Sequence, residues 1–84
     1  MDFPIIWSEP ASNELKKLDR SVAKRIFKKV SLLRENPYHN VTKLVGVPYF
    51  RLRVGDFRII LNIKKDGLQV LVLKVGHRKG IYKK

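Results

Sequence analysis

The residues of this chain best suited to chemistry are cationic, and their spacing groups them. Arg51, Arg53 and Arg58 flank a Gly55-Asp56 pair, while His77, Arg78 and Tyr82 follow the last long apolar run. Residues 49–54 and 57–63 alternate in polarity apart from Ile60, and Gly55-Asp56 suits a two-residue type II′ turn between two strands. Such a hairpin sets Val54 opposite Phe57, Arg53 opposite Arg58 and Arg51 opposite Ile60. Side chains alternate between sheet faces, so the three arginines share one face; Phe50, Leu52, Val54, Phe57, Ile59 and Leu61 share the other. Directly opposed like charges destabilise a sheet by about 0.2–1 kcal/mol, and a bridging anion relieves the repulsion. Arginine stays protonated and only stabilises charge, whereas histidine and tyrosine can exchange a proton. Cleavage of an RNA phosphodiester by its own 2′-hydroxyl needs a base, an acid and cations at the developing phosphorane. Arg51, Arg53, Arg58, His77, Arg78 and Tyr82 form such a set without a metal. Electrostatic binding of RNA or DNA, with Tyr82 stacking or packing, accounts for the same residues as well.

These groups must be positioned by a short chain with a simple element order. Residues 2–7 form an apolar run suited to a strand, with Pro4 favouring an edge or a strand start. Ser8, followed by Glu9 and Pro10, reads as the N-cap of a first helix over about 9–18, with Ala11, Leu15 and Leu18 on its apolar stripe. After a break at Asp19-Arg20-Ser21, a second helix is expected over about 20–35. Val22, Ile26, Val30 and Leu33 form its stripe, Ala23 and Phe27 widen it, and Asn36-Pro37 stops it. Residues 37–48 read as a connecting loop that carries His39 as a surface residue. Asp66-Gly67 marks a second hairpin before residues 68–75, apolar at nearly every position as a central strand would be. An exposed Lys74 implies that Leu71, Leu73 and Val75 face the core. A strict two-residue loop reverses that parity, so a longer turn or a bulge is expected, with Lys74 joining the arginines. The expected fold is α+β: one domain over residues 1–84, built as a strand, two helices and a three-strand antiparallel meander, with the helices on one sheet face.

Composition narrows the partners. The 84 residues hold 19 Lys or Arg against 7 Asp or Glu, for a net charge of +12. Residues 43–84 carry 11 basic and 2 acidic residues, a net of +9, against +3 for residues 1–42. A polyanion or an acidic protein is the partner such a half fits, and Lys74, Lys79, Lys83 and Lys84 would add cations for an RNA backbone. With no cysteine and two histidines, neither a disulfide framework nor a zinc centre is expected, and no cofactor is implied. No apolar run approaches the ~18 residues of a spanning helix, no secretory leader is recognisable, and neither helix sets an aromatic face against a basic one. A cytoplasmic protein without a membrane partner is the expectation.

The stretch Tyr49-Phe-Arg-Leu-Arg-Val-Gly-Asp-Phe-Arg-Ile, followed by Val75-Gly-His-Arg-Lys-Gly-Ile-Tyr82, resembles the C-terminal half of RelE-type toxins of the RelE/ParE superfamily. Ser8-Glu-Pro-Ala, Asn36-Pro37 and Lys43-Leu-Val-Gly fit the same pattern, so the resemblance spans essentially the whole chain. It implies the toxin of a toxin–antitoxin pair, a metal-independent endoribonuclease that enters the ribosomal A site and cuts mRNA. Carried over by position, Arg51 and Arg53 match two basic residues of the first meander strand, and Arg58 matches the arginine that contacts the phosphate. Arg78 and Tyr82 match the arginine and tyrosine after the last strand. The resemblance further implies an acidic, RelB-like cognate antitoxin that wraps the toxin and lets the pair bind operator DNA. Where some members have lysines at the first two basic positions, one proposed as general base, this chain has arginines, which are too weakly acidic to serve. Either His77 takes that role or cleavage rests on arginine stabilisation with a weak base. The superfamily also contains ParE-like inhibitors of DNA gyrase, which need no nuclease residues. A basic nucleic-acid-binding module is the remaining reading.

Overall fold

A hydroxyl, an acid and a proline at positions 8–10 start the first helix of the computed structural model, which describes residues 3–64, 66 and 69–77. A short strand β1 (Ile5–Trp7) leads into α1 (Glu9–Lys16), where the Ser8 hydroxyl accepts a hydrogen bond from Ala11 N at 3.2 Å. The helix closes earlier than the expected residue 18. Lys17 N and Leu18 N reach back only three residues, to Glu14 O and Leu15 O, and this tightens the last turn. After Asp19, α2 (Arg20–Ser31) runs into a 3₁₀ turn at Leu32–Arg34. Ile26, Val30 and Leu33 are buried on the expected stripe, but Phe27 is not part of it. Phe27 is 54% exposed and stacks on Trp7 of β1, with ring centroids 6.0 Å apart.

Four further strands complete one sheet: β2 (Val41–Lys43), β3 (Phe50–Val54), β4 (Phe57–Lys64) and β5 (Gln69–His77). Their order is β1-β5-β4-β3-β2, with β1 parallel to β5 and the other neighbours antiparallel. The apolar run of β5 is therefore an interior strand, as its composition implies. β2 lies inside the segment expected to be loop. It is three residues long, follows Asn40 at φ +60°, and sets Val41 opposite Leu52 and Thr42 opposite Arg51. Leu52, Val54, Ile59, Leu61, Val70, Val72 and Val75 face Ala11, Ile26, Val30 and Leu33 across the core. Each of the larger of these side chains contributes roughly 1.5–3 kcal/mol by leaving water.

The β4–β5 ladder corrects one expectation and bears out another. Val70 and Val72, rather than Leu71 and Leu73, face the helices, while Val75 is in the core as expected. Lys64 pairs with Gln69, and strict antiparallel order holds up to Leu61 opposite Val72. There the register shifts, so that Ile60 pairs with Lys74 and Leu73 is the extra residue of a bulge. Ser8 fastens this irregularity: its backbone N–H donates to Val72 O at 2.9 Å, and its hydroxyl donates to Leu73 O at 3.0 Å. One side chain thus caps α1 and serves the bulge carbonyl, since a hydroxyl can donate and accept at once. Ser8→Ala is expected to lower the stability measured by urea unfolding by about 1–2 kcal/mol. A loss below a few tenths would show that this hydroxyl is not what holds the bulge.

Candidate functional site

Gly55 makes the arginine hairpin possible. It adopts φ +58° at the first central position of the turn while Asp56 keeps a negative φ, the pattern of the expected type II′ turn. A side chain at Gly55 would be strained there, and its Cβ would lie 3.5 Å from the Arg25 guanidinium of α2. The β3–β4 register is the expected one, with Val54 opposite Phe57, Arg53 opposite Arg58 and Arg51 opposite Ile60. Across β2 to β5 the sheet face away from the helices then carries two rows. One is Arg53, Arg58 and Gly76; the other is Thr42, Arg51, Ile60 and Lys74. Four cations come from three adjacent strands, with neighbouring strands about 4.8 Å apart. Lys74 reaches this face because of the bulge at Leu73.

Arg58 is the least exposed of the four, at 8%. Its guanidinium donates to Phe57 O at 3.3 Å and, at the limit of hydrogen-bonding distance, to Gly55 O at 3.5 Å. Among the described residues no carboxylate forms an ion pair with it. A buried guanidinium beside a second arginine is costly unless a counter-charge arrives, so this row favours an anionic ligand. Gly76 of β5 pairs with Arg58 and places no side chain beside it. Thr42, from the strand not foreseen in the sequence, adds a hydroxyl next to Arg51. The signal for it was weak: two β-branched residues, Val41-Thr42, directly after Asn40.

His77 stands on the other side of the sheet from Arg51, Arg53 and Arg58. It pairs with Phe57, touches that ring edge-on at a centroid distance of 5.4 Å, and lines a groove of about 600 Å³ with Glu9, Asn13 and Glu14 of α1 and with Lys74 and Gly76 of its own strand. The sheet therefore separates the imidazole from Arg53 and Arg58, contrary to the expectation that His77 works among them. The reason is parity, since Val75 and His77 are two residues apart on one strand and must share a face. His39 lies in the loop before β2, exposed, within 3.0 Å of the Asn40 side chain. Arg78, Lys79, Tyr82, Lys83 and Lys84 lie outside the described residues. Among the described residues no group of three His, Cys, Asp or Glu could hold a metal ion.

The cation rows predict an uncoupling of stability from anion binding. Arg58→Met keeps most of the side-chain volume and removes the buried charge. Its melting temperature in low-salt buffer is expected to equal or exceed the parent's, while the stabilisation by added phosphate or sulfate shrinks. A large loss of stability with unchanged anion response would contradict this account.

Residues 5–82 match the family described as the ParE toxin of the type II toxin–antitoxin system parDE. A RelE-like toxin protein from Escherichia coli is 28% identical over 82 residues, covering 94% of this chain and 86% of the relative. The isolated E. coli RelE toxin superposes with a TM-score of 0.80 at 25% identity, covering 95% of this chain and 90% of that one. The Mycobacterium tuberculosis RelBE2 toxin–antitoxin complex contains a chain that superposes at 0.85 with 21% identity and 93% coverage of both, a likeness of fold. With two helices on one face of a five-strand mixed sheet as the shared fold, these matches place the chain among the toxins of the RelE/ParE superfamily. The chain belongs to the ParE toxin family of type II toxin–antitoxin systems.

Proposed function

We propose that this toxin is a ribosome-dependent, metal-independent mRNA endoribonuclease that cleaves translated message in the A site. The observation that carries the reading is the convergence of Arg51, Arg53, Arg58 and Lys74 on one sheet face, with Arg58 buried and unmatched by a described carboxylate. Cations held this way act on charge that develops on a phosphoryl oxygen when a 2′-hydroxyl attacks. Arg58 and Arg53 grip the scissile phosphate, while Arg51 and Lys74 hold the adjoining backbone. Arg78 and Tyr82 are proposed, on resemblance, as a further phosphate contact and the proton donor, with Lys79, Lys83 and Lys84 on the RNA backbone. His77, on the far side of the sheet from Arg53 and Arg58, is not assigned the base. As the 2′-hydroxyl attacks, its proton passes to water or a non-bridging phosphate oxygen acting as a weak base, and Tyr82 protonates the leaving 5′-oxygen. The cations position the RNA and stabilise the phosphorane charge. The toxin acts in the cytoplasm and is neutralised by an acidic, RelB-like antitoxin. The M. tuberculosis structure of like fold is a toxin–antitoxin complex, and operator DNA is proposed to be reached only through a complex of that kind.

The family match favours a second reading, a ParE-like inhibitor of DNA gyrase without catalysis of its own. Primer extension on translated message, run beside a gyrase supercoiling assay, separates the two. Under the nuclease reading, cleavage appears at defined codons, gyrase is untouched, and Arg58→Ala slows single-turnover cleavage on programmed ribosomes by about 10²–10³-fold. His77→Ala retains a rate within about threefold of the parent. Gyrase inhibition with intact message would replace the proposal by the second reading. Parent-level cleavage by a folded Arg58→Ala protein would remove the site.

A further inference from the structure

The sheet face away from the helices continues beyond the two cation rows. Two residues further along β4 lies Asn62, opposite Leu71 of β5, which in turn pairs with Ile6 of β1. On the other flank Phe50 pairs with Leu61, so Tyr49 comes next to Asn62 and has the parity of Arg51 and Arg53. Leu44 N donates to Tyr49 O at 2.9 Å, which carries the β2–β3 pairing to this level of the sheet. A third row thus runs Tyr49, Asn62, Leu71 and Ile6, about 7 Å from the row of Arg51 and Lys74. It holds no charged side chain. Lys64, opposite Gln69, resumes the cations two residues later. Ile6 is 43% exposed and the other three are half-buried, so the row keeps a surface of its own. Among the described residues no hydrogen bond holds the Asn62 amide.

We infer that this third row is a base-reading subsite: Tyr49 stacks one base of a single-stranded RNA, and the Asn62 amide reads its edge, with adenine preferred. The inference rests on the RNA reading of the cation rows and adds to it the residues that choose a sequence. Arg51 and Lys74 on one side of the row, and Lys64 on the other, give an RNA lying along β4 phosphate contacts before and after the base. An aromatic ring stacks any base, so Tyr49 supplies affinity without choice. An amide offers one donor and one acceptor side by side. That pair matches the N6 amino group and N7 of adenine, whereas guanine presents two acceptors, O6 and N7, on the same edge. Paired bases of a duplex stay stacked on one another and cannot lie on Tyr49. An acidic peptide would answer the cations and leave the uncharged row between them unmatched.

The probes are dye-labelled uridine pentaribonucleotides whose central base is kept or replaced by adenine, guanine, unsubstituted purine or an abasic site. Each is titrated into the full chain at low salt and followed by fluorescence anisotropy. Central adenine should bind about fivefold or more tighter than guanine or uracil, and unsubstituted purine, which keeps N7 but lacks the amino group, should lose most of that advantage. The abasic oligomer should bind most weakly. Asn62→Ala should bring adenine and guanine within about twofold of each other and leave the all-uridine oligomer unaffected. Tyr49→Ala should weaken every oligomer with a central base by about fivefold or more and spare the abasic one, while Tyr49→Phe binds like the parent. Circular dichroism checks the fold of each variant, and the comparison of oligomers on the parent protein needs no variant. Arg58→Ala should weaken all oligomers alike, the abasic one included, and keep the adenine preference. Absence of that uniform effect would count against the cation rows as the phosphate site. Equal affinity of the parent for adenine, guanine and abasic oligomers would overturn the base-reading inference alone, as would an unchanged preference in folded Asn62→Ala protein. A Tyr49-dependent response to a glutamate-rich peptide as strong as that to RNA would overturn it too, and no saturable binding of any oligomer would overturn both.

Discussion

Strict alternation along β5 would carry Lys74 and Gly76 to the face of Val70 and Val72, against the helices. The bulge at Leu73 prevents this. It lets Val70 and Val72 enter the core from one parity and Val75 from the other, and it turns Lys74 outward to lie beside Ile60. Without the extra residue an ammonium would be driven into an apolar layer, at a cost of several kcal/mol. The same strand must also accept β1 in parallel register on its other edge, and Ser8 joins these demands. Its N–H continues the β1–β5 pairing, its hydroxyl bonds the bulge carbonyl, and the same oxygen starts α1. Core packing, helix placement and the composition of the cationic face therefore share one local constraint.

The cationic face is an electrostatic compromise tolerated by the fold. Arg53 opposite Arg58 weakens the hairpin, and the burial of Arg58 adds a desolvation cost. Nothing in the packing of the core asks for either. What offsets them is the apolar side of the same hairpin, where Leu52, Val54, Ile59 and Leu61 are almost wholly removed from water. Segregating the burden this way lets one two-strand unit anchor the domain through one face and hold cations ready on the other. Of the cations on that face, Arg58 is the one whose guanidinium is fixed by hydrogen bonds to the backbone of its own hairpin.

Much of this was legible in the sequence because it rests on period-two patterning and turn chemistry. Gly55-Asp56 alone fixes the pairing of Arg53 with Arg58, and the Ser8-Glu9-Pro10 start of α1 follows from capping rules. The parts that escaped have identifiable causes. β2 is three residues long and owes its existence to pairing with β3, so no local signal of ordinary strength announces it. Phe27 fits the apolar stripe of α2 by spacing, yet the sheet beneath is already filled by Ile26 and Val30, and the ring turns out to Trp7. The side of the sheet occupied by His77 was implied once Val75 was assigned to the core. Proximity in sequence to Arg78 and Tyr82 suggested a place among the arginines, whereas strand parity puts the imidazole on the sheet face away from Arg53 and Arg58. Leu71 and Leu73 were read inward because a register slip within the strand, rather than in the turn, resolves the position of Lys74.

The central claim is that Arg51, Arg53 and Arg58 act as one receptor for a phosphodiester chain. Its most direct test is the titration of a single-stranded oligoribonucleotide into isotope-labelled protein, following the guanidinium Nε–H resonances by NMR. The account predicts that the signals of these three arginines shift together with one dissociation constant, while those of Arg20 and Arg25 on α2 and the imidazole of His77 respond weakly or not at all. Shifts spread evenly over all arginines, or concentrated on α2, would contradict it.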